Sequence, residues 1–201
     1  MKRALAVILI AAFFCVAAVC AQTPPQAPKP APELQRLNYF VGSWTTEADM
    51  KPSPFGPGGK YISKDHAEWM PGGFFLTSHS NMKTPMGPGT ELAVMGYKPD
   101  DKVYTYDAYN SMGEADHSTG TLSGDTWTWT SDEKMGGKMI KGRFIIKELS
   151  PTVYSFKFDM QPEGGEWTTL MEGKSTKITG KEEPAGKEKK KGNKEGKEDK
   201  D

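Results

Sequence analysis

The segment "KMIKGRFIIKELSPTVYSFKFDMQ", residues 138–161, shows most clearly the pattern from which the fold can be predicted. Charged and apolar residues alternate along both of its halves, and a Ser-Pro pair separates the two halves. Alternation with a period of two is the pattern of a strand that buries one face. A Ser-Pro pair between two such runs is typical of a turn. The stretch therefore predicts two antiparallel strands, each with an apolar face and a charged face.

The same pattern continues through most of the chain. Short alternating runs are separated by clusters of Gly, Pro and Asp, which favour turns. Helical periodicity is limited to Leu34, Leu37 and Val41, enough for one short turn before the first strand. The predicted strands are Trp44–Lys51, Lys60–Met70, Phe74–Met82, Glu91–Lys98, Val103–Ser111, Glu114–Leu122, Thr126–Glu133, Lys138–Leu149, Val153–Gln161 and Glu166–Ile178. This pattern predicts an all-β fold, an antiparallel up-and-down barrel of about 8–10 strands with one short N-terminal helical turn.

Charges indicate which face of each strand points inward. In the first strand Glu47 and Asp49 alternate with Trp44 and Ala48, so the apolar set should face the interior. The same logic predicts an apolar interior and a charged exterior for the barrel as a whole. Asp65 falls on the inner face of the second strand, where a carboxylate needs a hydrogen-bonding partner.

The chain ends differ in composition from the barrel. Residues 1–21 have a short basic start, an apolar run and small residues before Gln22, which predicts a signal peptide and an exported protein, periplasmic or secreted. A retained N-terminal anchor is the alternative. Residues 22–32 form a proline-rich linker, 33–178 the barrel domain, and 179–201 a charged Lys/Glu tail that is predicted to be disordered.

Cysteine usage and charge exclude several classes of function. Both cysteines, Cys15 and Cys20, lie in the predicted signal segment, so the mature chain would have no disulfide and no thiolate site. Between Pro32 and Gly180 there are 15 lysines and arginines against 19 acidic residues, a net charge of −4. A nucleic-acid partner would need a clustered basic face, so none is predicted. No transmembrane span is predicted after signal cleavage, and the sequence does not indicate an oligomeric state.

Four motifs resemble a known family in their order and spacing. They are "PELQRLNYFVGSWTTE", "WMPGGFFL", "GYKPDDKVY" and "DAYNSMGEADHSTGTLSGD", and the similarity covers roughly residues 32–178. The chain resembles the exported bacterial proteins grouped as domain of unknown function 1579. That family is similar in architecture to lipocalin-like barrels, including the nitrobindin type. The resemblance implies a barrel fold, and it implies no activity and no catalytic residues.

No catalytic motif is present in the sequence. There is no nucleophile elbow, no His-Glu-x-x-His zinc motif, no phosphate-binding loop before a helix and no EF-hand spacing. We therefore predict no catalytic residues, no metal site and no cofactor, and an enzymatic function is not indicated. Glu114 and Asp116 share a strand face near a turn, beside His117, and could bind a cation or simply form a solvated rim.

One alternative function depends on the orientation of a histidine. His79 follows the apolar residues Phe74–Leu76, and its register after "PGG" would allow it to point inward. An inward imidazole is a possible ligand for haem iron, as in nitrobindin-like proteins. Haem binding through His79 is therefore an alternative hypothesis.

The aromatic residues are the main indication of function. Those predicted to face inward and to line a ligand site are Tyr104, Tyr106, Trp127, Trp129, Phe156, Phe158 and Trp167. Tyrosine and tryptophan combine apolar area with a hydrogen-bonding group, which suits a small apolar or amphipathic ligand inside the barrel. A further alternative is a packed core, in which case the protein would be a non-catalytic cell-envelope interaction module.

The segment "LNYFVGSW", residues 37–44, is expected to lie at one end of the barrel. Trp44 is in phase with Thr46, Ala48 and Met50, so it should lie at an end of the interior. Gly42 would let the preceding apolar turn fold across that end. We therefore predict that Trp44 is a barrel-end plug and that any ligand enters from the other end.

Overall fold

The structure, a computed structural model, describes residues 28–54, 56–135 and 137–180, and for Met135 the backbone alone. All ten strands belong to the compact unit that begins at Ala31. The predicted signal peptide with both cysteines, residues 22–27 of the predicted linker and residues 181–201 of the predicted tail lie outside the described residues.

A short 3₁₀ helix precedes ten strands. The helix spans Pro32–Phe40. The strands are β1 Gly42–Met50, β2 Gly59–Trp69, β3 Leu76–Thr84, β4 Gly87–Lys98, β5 Val103–Asn110, β6 Ala115–Ser123, β7 Thr126–Met135, β8 Lys138–Ser150, β9 Val153–Pro162 and β10 Thr168–Lys177. These bounds agree with the ten predicted strands to within a few residues at each end.

The strands form a closed antiparallel barrel in which each strand pairs with its neighbours in sequence. The barrel closes where β1 pairs with β10, with Trp44 opposite Lys177 and Met50 opposite Met171. Closure leaves no unpaired edge, which removes the main route to edge-to-edge aggregation. The predicted up-and-down antiparallel barrel is confirmed.

Side chains alternate between the barrel interior and the outer surface. On β1, Trp44, Thr46 and Ala48 are buried, whereas Glu47 and Asp49 are exposed. This is the arrangement that the charge alternation predicts. The interior carries the apolar core, and most lysines and carboxylates of the described strands lie outside.

The 3₁₀ helix lies across one end of the barrel. Pro32 at its start suits a first helical turn, because a proline has no N–H to leave unpaired there. Its apolar residues Leu34, Leu37 and Phe40 are buried against the barrel core. Gly42 then adopts a φ of 104°, which lets the chain turn from the helix into β1. We call this helix-covered end the floor and the opposite end the mouth.

Within the described part of the chain, no helix has the length and apolar character needed to cross a lipid bilayer.

Candidate functional site

Hydrogen bonds from the barrel wall to the helix close the floor. The indole Nε1 of Trp44 donates to the carbonyl oxygen of Phe40 at 2.8 Å. The hydroxyl of Tyr104 donates to the carbonyl oxygen of Glu33 at 3.0 Å. Trp44 is almost fully buried, and its ring centroid lies 5.0 Å from that of Tyr154. The structure thus places Trp44 in the packing of the floor.

A carboxylate near the floor connects the helix to the deepest tryptophan. The indole Nε1 of Trp127 donates to Oε1 of Glu148 at 2.8 Å. Arg36 of the helix contacts the same oxygen at 3.3 Å. Glu148 therefore satisfies a buried donor and also binds the helix electrostatically.

Aromatic rings fill the half of the interior next to the floor. The rings of Trp127 and Trp129 are nearly parallel, with an interplanar angle of 4° and centroids 6.0 Å apart. Tyr104 packs edge-on against Trp127 at 4.9 Å. Trp129 lies directly over Gly120, where a Cβ atom would come within 2.5 Å of the indole. Four of the predicted ligand-lining residues, Tyr104, Trp127, Trp129 and Phe156, are buried here and form packed core.

In the half of the interior next to the mouth, one wall is apolar and partly accessible. Its inward-facing side chains come from β1, β8, β9 and β10, and they are Met50, Phe144, Phe158, Met160 and Met171. Each of these side chains keeps some accessible surface. Because the barrel wall is closed, we assign that surface to the half of the interior next to the mouth, which we call the upper lumen. Phe158, a predicted lining residue, belongs to this wall.

The opposite wall of the upper lumen is polar and acidic. The hydroxyl of Tyr106, another predicted lining residue, donates to Oε1 of Glu91 at 3.0 Å. Ser118 donates to Oδ2 of Asp116 at 2.8 Å. The carboxyl groups of Asp116 and Glu133 are in hydrogen-bond contact on the adjoining strands β6 and β7. Three carboxyl groups therefore share this wall.

The pKa values of these groups reflect burial and mutual repulsion. Burial raises the pKa of Glu91, and the charges of Asp65, Asp116 and Glu114 raise it further, while the hydrogen bond from Tyr106 opposes the shift. Burial, the contact with Asp116 and the charge of Glu114 raise the pKa of Glu133 to about 7. The carboxyl group of Glu133 therefore exchanges its proton near neutral pH.

Burial also raises the pKa of Tyr106 well above its ordinary value, and the neighbouring Glu91 adds to the shift. The Tyr106 hydroxyl is thus a permanent hydrogen-bond donor in the lumen at physiological pH. Tyr106 as a residue keeps some accessible surface, and its side chain lies on the inner face of β5.

A hydroxyl cluster satisfies Asp65 between the two halves of the interior. Thr46 and Ser63 donate to Oδ2 of Asp65 at 3.0 and 2.9 Å. Thr46 also lies 2.6 Å from the hydroxyl of Ser175 on the other side of β1. The inward carboxylate has the partners that its position in the sequence requires.

Sequence reasoning missed the carboxylates Glu91 and Glu133. Their signal is present in the alternation, because Glu133 is in phase with Trp127 and Trp129, and Glu91 is in phase with Ala93. An interpretation of these faces through their aromatic residues alone overlooks both carboxylates. The phase of the same strands places the two carboxyl groups inside the barrel.

Trp167 lies on the outer surface and not in the interior, which corrects the prediction for this residue. The guanidinium carbon of Arg143 lies 4.2 Å from the centre of the Trp167 ring. Arg143 points outward, since the inward positions on β8 are Gly142 and Phe144. The pairing of β10 with β9 shifts register between Thr169 and Met171. This bulge reverses the phase before it, so residues predicted to point inward ahead of Leu170 point outward.

His79 also points outward, which removes the geometric basis of the haem alternative. Its neighbours Leu76 and Met82 are buried inside, so positions 76, 78, 80 and 82 face inward and His79 is exposed. His66, directly opposite His79, is exposed as well. His117 is exposed and lies 2.6 Å from Asp107. None of the described histidines can therefore reach a ligand in the lumen.

The cation site considered at Glu114 and Asp116 does not form in the structure. Glu114 is exposed and accepts a hydrogen bond from Asn110 at 2.6 Å, whereas Asp116 points into the lumen. Across residues 28–54, 56–135 and 137–180, no cluster of three or more His, Cys, Asp or Glu side chains has a geometry suited to a metal ion.

Comparison with known proteins identifies the family. Residues 29–177 match the family described as protein of unknown function, DUF1579. The chain belongs to this family. A comparison with curated proteins gave no match. Membership in DUF1579, a family of unknown function, carries no activity with it.

Two solved structures are similar to this member of DUF1579. The crystal structure of Rv2717c from M. tuberculosis has a TM-score of 0.53 and 16% sequence identity, covering 75% of this chain and 99% of that chain. An S-type phycobiliprotein lyase from Guillardia theta has a TM-score of 0.48 and 12% identity, covering 73% and 93%. The first similarity shows a common fold. The TM-score of the second, 0.48, is too low to establish one.

Proposed function

We propose that this DUF1579 protein binds a small amphipathic molecule in the upper lumen of its barrel. The observation that carries the proposal is the accessible surface on inward-facing apolar side chains, with Phe144, Phe158 and Met171 as the main examples. These side chains stand opposite the hydrogen-bonding groups of Tyr106 and Glu91. An apolar wall facing a polar wall matches a molecule that has one face of each kind.

The apolar wall would supply most of the binding free energy. Burial of apolar ligand surface contributes about 25 cal/mol per Å² removed from water. Methionines at positions 50, 160 and 171 can adjust their shape, because an unbranched thioether side chain adapts to irregular surfaces. This wall therefore favours apolar ligands without requiring one particular outline.

The acidic wall would select the charge of the ligand. In the described part of the chain, none of Glu91, Asp116 and Glu133 forms an ion pair with a lysine or arginine. Carboxylates without a neighbouring cation repel one another, as the raised pKa values of Glu91 and Glu133 indicate. A ligand carrying an amine would relieve this repulsion, whereas an anionic ligand would increase it.

Three naphthalene probes of similar size test the proposal. They are 2-naphthylmethylamine, 2-naphthylmethanol and 2-naphthoate, and their binding is measured by calorimetry at pH 8. We expect the amine to bind more tightly than the alcohol and the carboxylate to bind least. Absence of binding by all three at millimolar concentration would overturn the proposal and leave the packed-core interpretation.

A pair of tryptophan variants locates the probe. Phe158→Trp enlarges an inward side chain and should obstruct the upper lumen, lowering probe affinity at least tenfold. Thr121→Trp adds a similar ring on the outer surface, where Thr121 is exposed, and should leave affinity unchanged. Equal affinities in the two variants would place the probe elsewhere and contradict the proposal.

Export of the protein is a separate proposal based on residues 1–21. Export would place the binding site in the periplasm or outside the cell. Mass spectrometry of the intact protein purified from its host would give both the mature N-terminus and the mass of any co-purifying small molecule.

A further inference from the structure

The outer surface of β8, β9 and β10 is basic on a fold that is acidic as a whole. Between Pro32 and Gly180 the net charge is −4. On these three strands, however, five cations face outward with only two carboxylates among them. The cations are Lys141, Arg143, Lys147, Lys157 and Lys174, and the carboxylates are Asp159 and Glu172.

A groove of about 450 Å³ lies within this basic surface. Its side chains are Ile145, Lys147, Ser155, Lys157, Glu172 and Lys174. Ser155 stands directly opposite Lys147 on one side and Lys174 on the other. A short side chain between two long ones forms the depression. Directly opposite Cβ atoms lie roughly 5 Å apart, so both ammonium groups can reach the space above the Ser155 hydroxyl.

The carboxylates in this surface already have other partners. Asp159 is almost fully buried and is bound by Arg143 at 2.9 Å, Lys157 at 3.0 Å and Thr169 at 2.8 Å. Glu172 contacts Lys51 at 3.5 Å. Asp159 and Glu172 are therefore not bound to the two lysines that flank Ser155.

Lys147 and Lys174 form no ion pair with any carboxylate among the described residues. Glu47 is opposite Lys174 in register, yet the two groups are not within ion-pair distance. Two lysines that are not ion-paired thus flank one hydroxyl, and the nearest carboxylate in the groove, Glu172, is bound to Lys51. This arrangement is suited to an oxyanion, since lysines bind phosphate as point charges and a hydroxyl adds one directional bond.

We propose that this groove binds the phosphate group of a small soluble phosphomonoester. The ammonium groups of Lys147 and Lys174 contact the phosphate oxygens, and the Ser155 hydroxyl donates to one of them. Ile145 offers an apolar contact to the organic part of the molecule. Glu47 and Asp49 on β1 border the groove opposite Lys174 and Glu172, so the positive area is confined and unsuited to a broad anionic membrane.

Phenyl phosphate is the probe for this site. Titration followed by backbone amide NMR at low salt should shift the resonances of residues 145–147, 155–157 and 172–174. Affinity should fall as salt is raised, because exposed charges are screened at an ionic strength of about 0.1 M and above. Shifts spread evenly over all exposed lysines would overturn the proposal.

Matched substitutions identify the residues that bind the probe. Lys147→Gln and Lys174→Gln should each weaken binding about fivefold, consistent with the loss of one charge-assisted contact, and the double variant should abolish it. Ser155→Ala should have a smaller effect. Lys64→Gln with Lys83→Gln changes two exposed lysines on β2 and β3 and should leave affinity unchanged. Unaltered binding in the Lys147/Lys174 double variant would contradict the assignment.

Two further measurements distinguish the groove from a membrane-binding surface and from the lumen. Vesicles containing phosphatidylglycerol should not bind the full-length chain through this surface, and vesicle binding that phenyl phosphate fails to displace would favour a membrane partner instead. Naphthylmethylamine should not compete with phenyl phosphate, since the lumen and the groove are on opposite sides of the barrel wall. Either proposal can therefore fail without the other.

Discussion

The carboxyl group of Glu133 contacts that of Asp116 inside the barrel, and burial, this contact and the charge of Glu114 raise the pKa of Glu133 to about 7. In an unfolded chain the same carboxyl titrates near its ordinary value of about 4.3. The folded state therefore holds a proton more tightly than the unfolded state in the interval between these two values.

The first prediction concerns stability as a function of pH. Because the folded pKa of Glu133 is raised, its contribution is most favourable below the unfolded pKa and is lost as pH rises toward 7. We expect Glu133→Gln to reduce the loss of stability between pH 5 and pH 7.5 by about 1 kcal/mol, allowing for partial exposure. Urea unfolding at the two pH values measures the difference.

Glu68→Gln is the control for this measurement, because Glu68 is exposed on the outer surface. Its pH profile should follow that of the unaltered protein. A Glu133→Gln profile parallel to that of the unaltered protein would show that the Glu133 carboxyl is not strained by its neighbours.

The second prediction links the same carboxyl to ligand charge, and it depends on the proposed function. Naphthylmethylamine stays cationic between pH 5.5 and pH 8, whereas the lumen gains negative charge as Glu133 loses its proton. We expect affinity for the amine to rise roughly fivefold over this range, as a charge interaction of about 1 kcal/mol would give. Naphthylmethanol should show no comparable rise, and Glu133→Gln should flatten the amine profile.

The third prediction tests how the floor is held. Glu148→Ala leaves the buried indole N–H of Trp127 without an acceptor and should cost about 1–3 kcal/mol of unfolding free energy. Arg36→Ala removes only a half-exposed partner of the same carboxylate and should cost less than about 1 kcal/mol. Chemical denaturation of both variants gives the comparison, and equal losses would mean that the Arg36 ion pair carries the effect.

The fourth prediction concerns the packing of Trp129. A Cβ at position 120 would lie 2.5 Å from the indole, so Gly120→Ala should force the ring to move at a cost of about 1–3 kcal/mol. Gly180→Ala meets no atom within 4 Å and serves as the control. Near-ultraviolet circular dichroism should change in the Gly120 variant alone, since the ring stacks on Trp127. An unchanged spectrum and stability would show that the indole does not press against Gly120.

Alternation and turn residues are sufficient to predict the barrel, because burying one face imposes a period of two on every strand. The phase of β1 and β9 alone places Trp44 and Phe158 inside. On β10 the same reasoning gives the wrong orientation for Trp167, because the strand contains a single bulge. Trp167 is out of phase with Met171, since one extra residue between them reverses the direction of every side chain before it.

The distinction between packed core and lumen is not accessible from the sequence. Trp129 and Tyr106 both point inward and are both aromatic, yet one is buried against the floor and the other borders the upper lumen. The two residues differ in their position along the barrel axis. That position depends on the stagger of the strands and on how deeply the helix enters the floor of the barrel. The types of the residues indicate neither the strand stagger nor the depth of the helix.

The pairing of Trp44 with Lys177 places the entry and the exit of the barrel chain side by side at the floor. An even number of strands in an up-and-down order makes this unavoidable. A partner joined to the barrel domain directly at Ala31 or at Ile178 would therefore attach behind the floor, away from the mouth. Barrel domains immobilised through either of these positions should consequently give the same access to a small molecule.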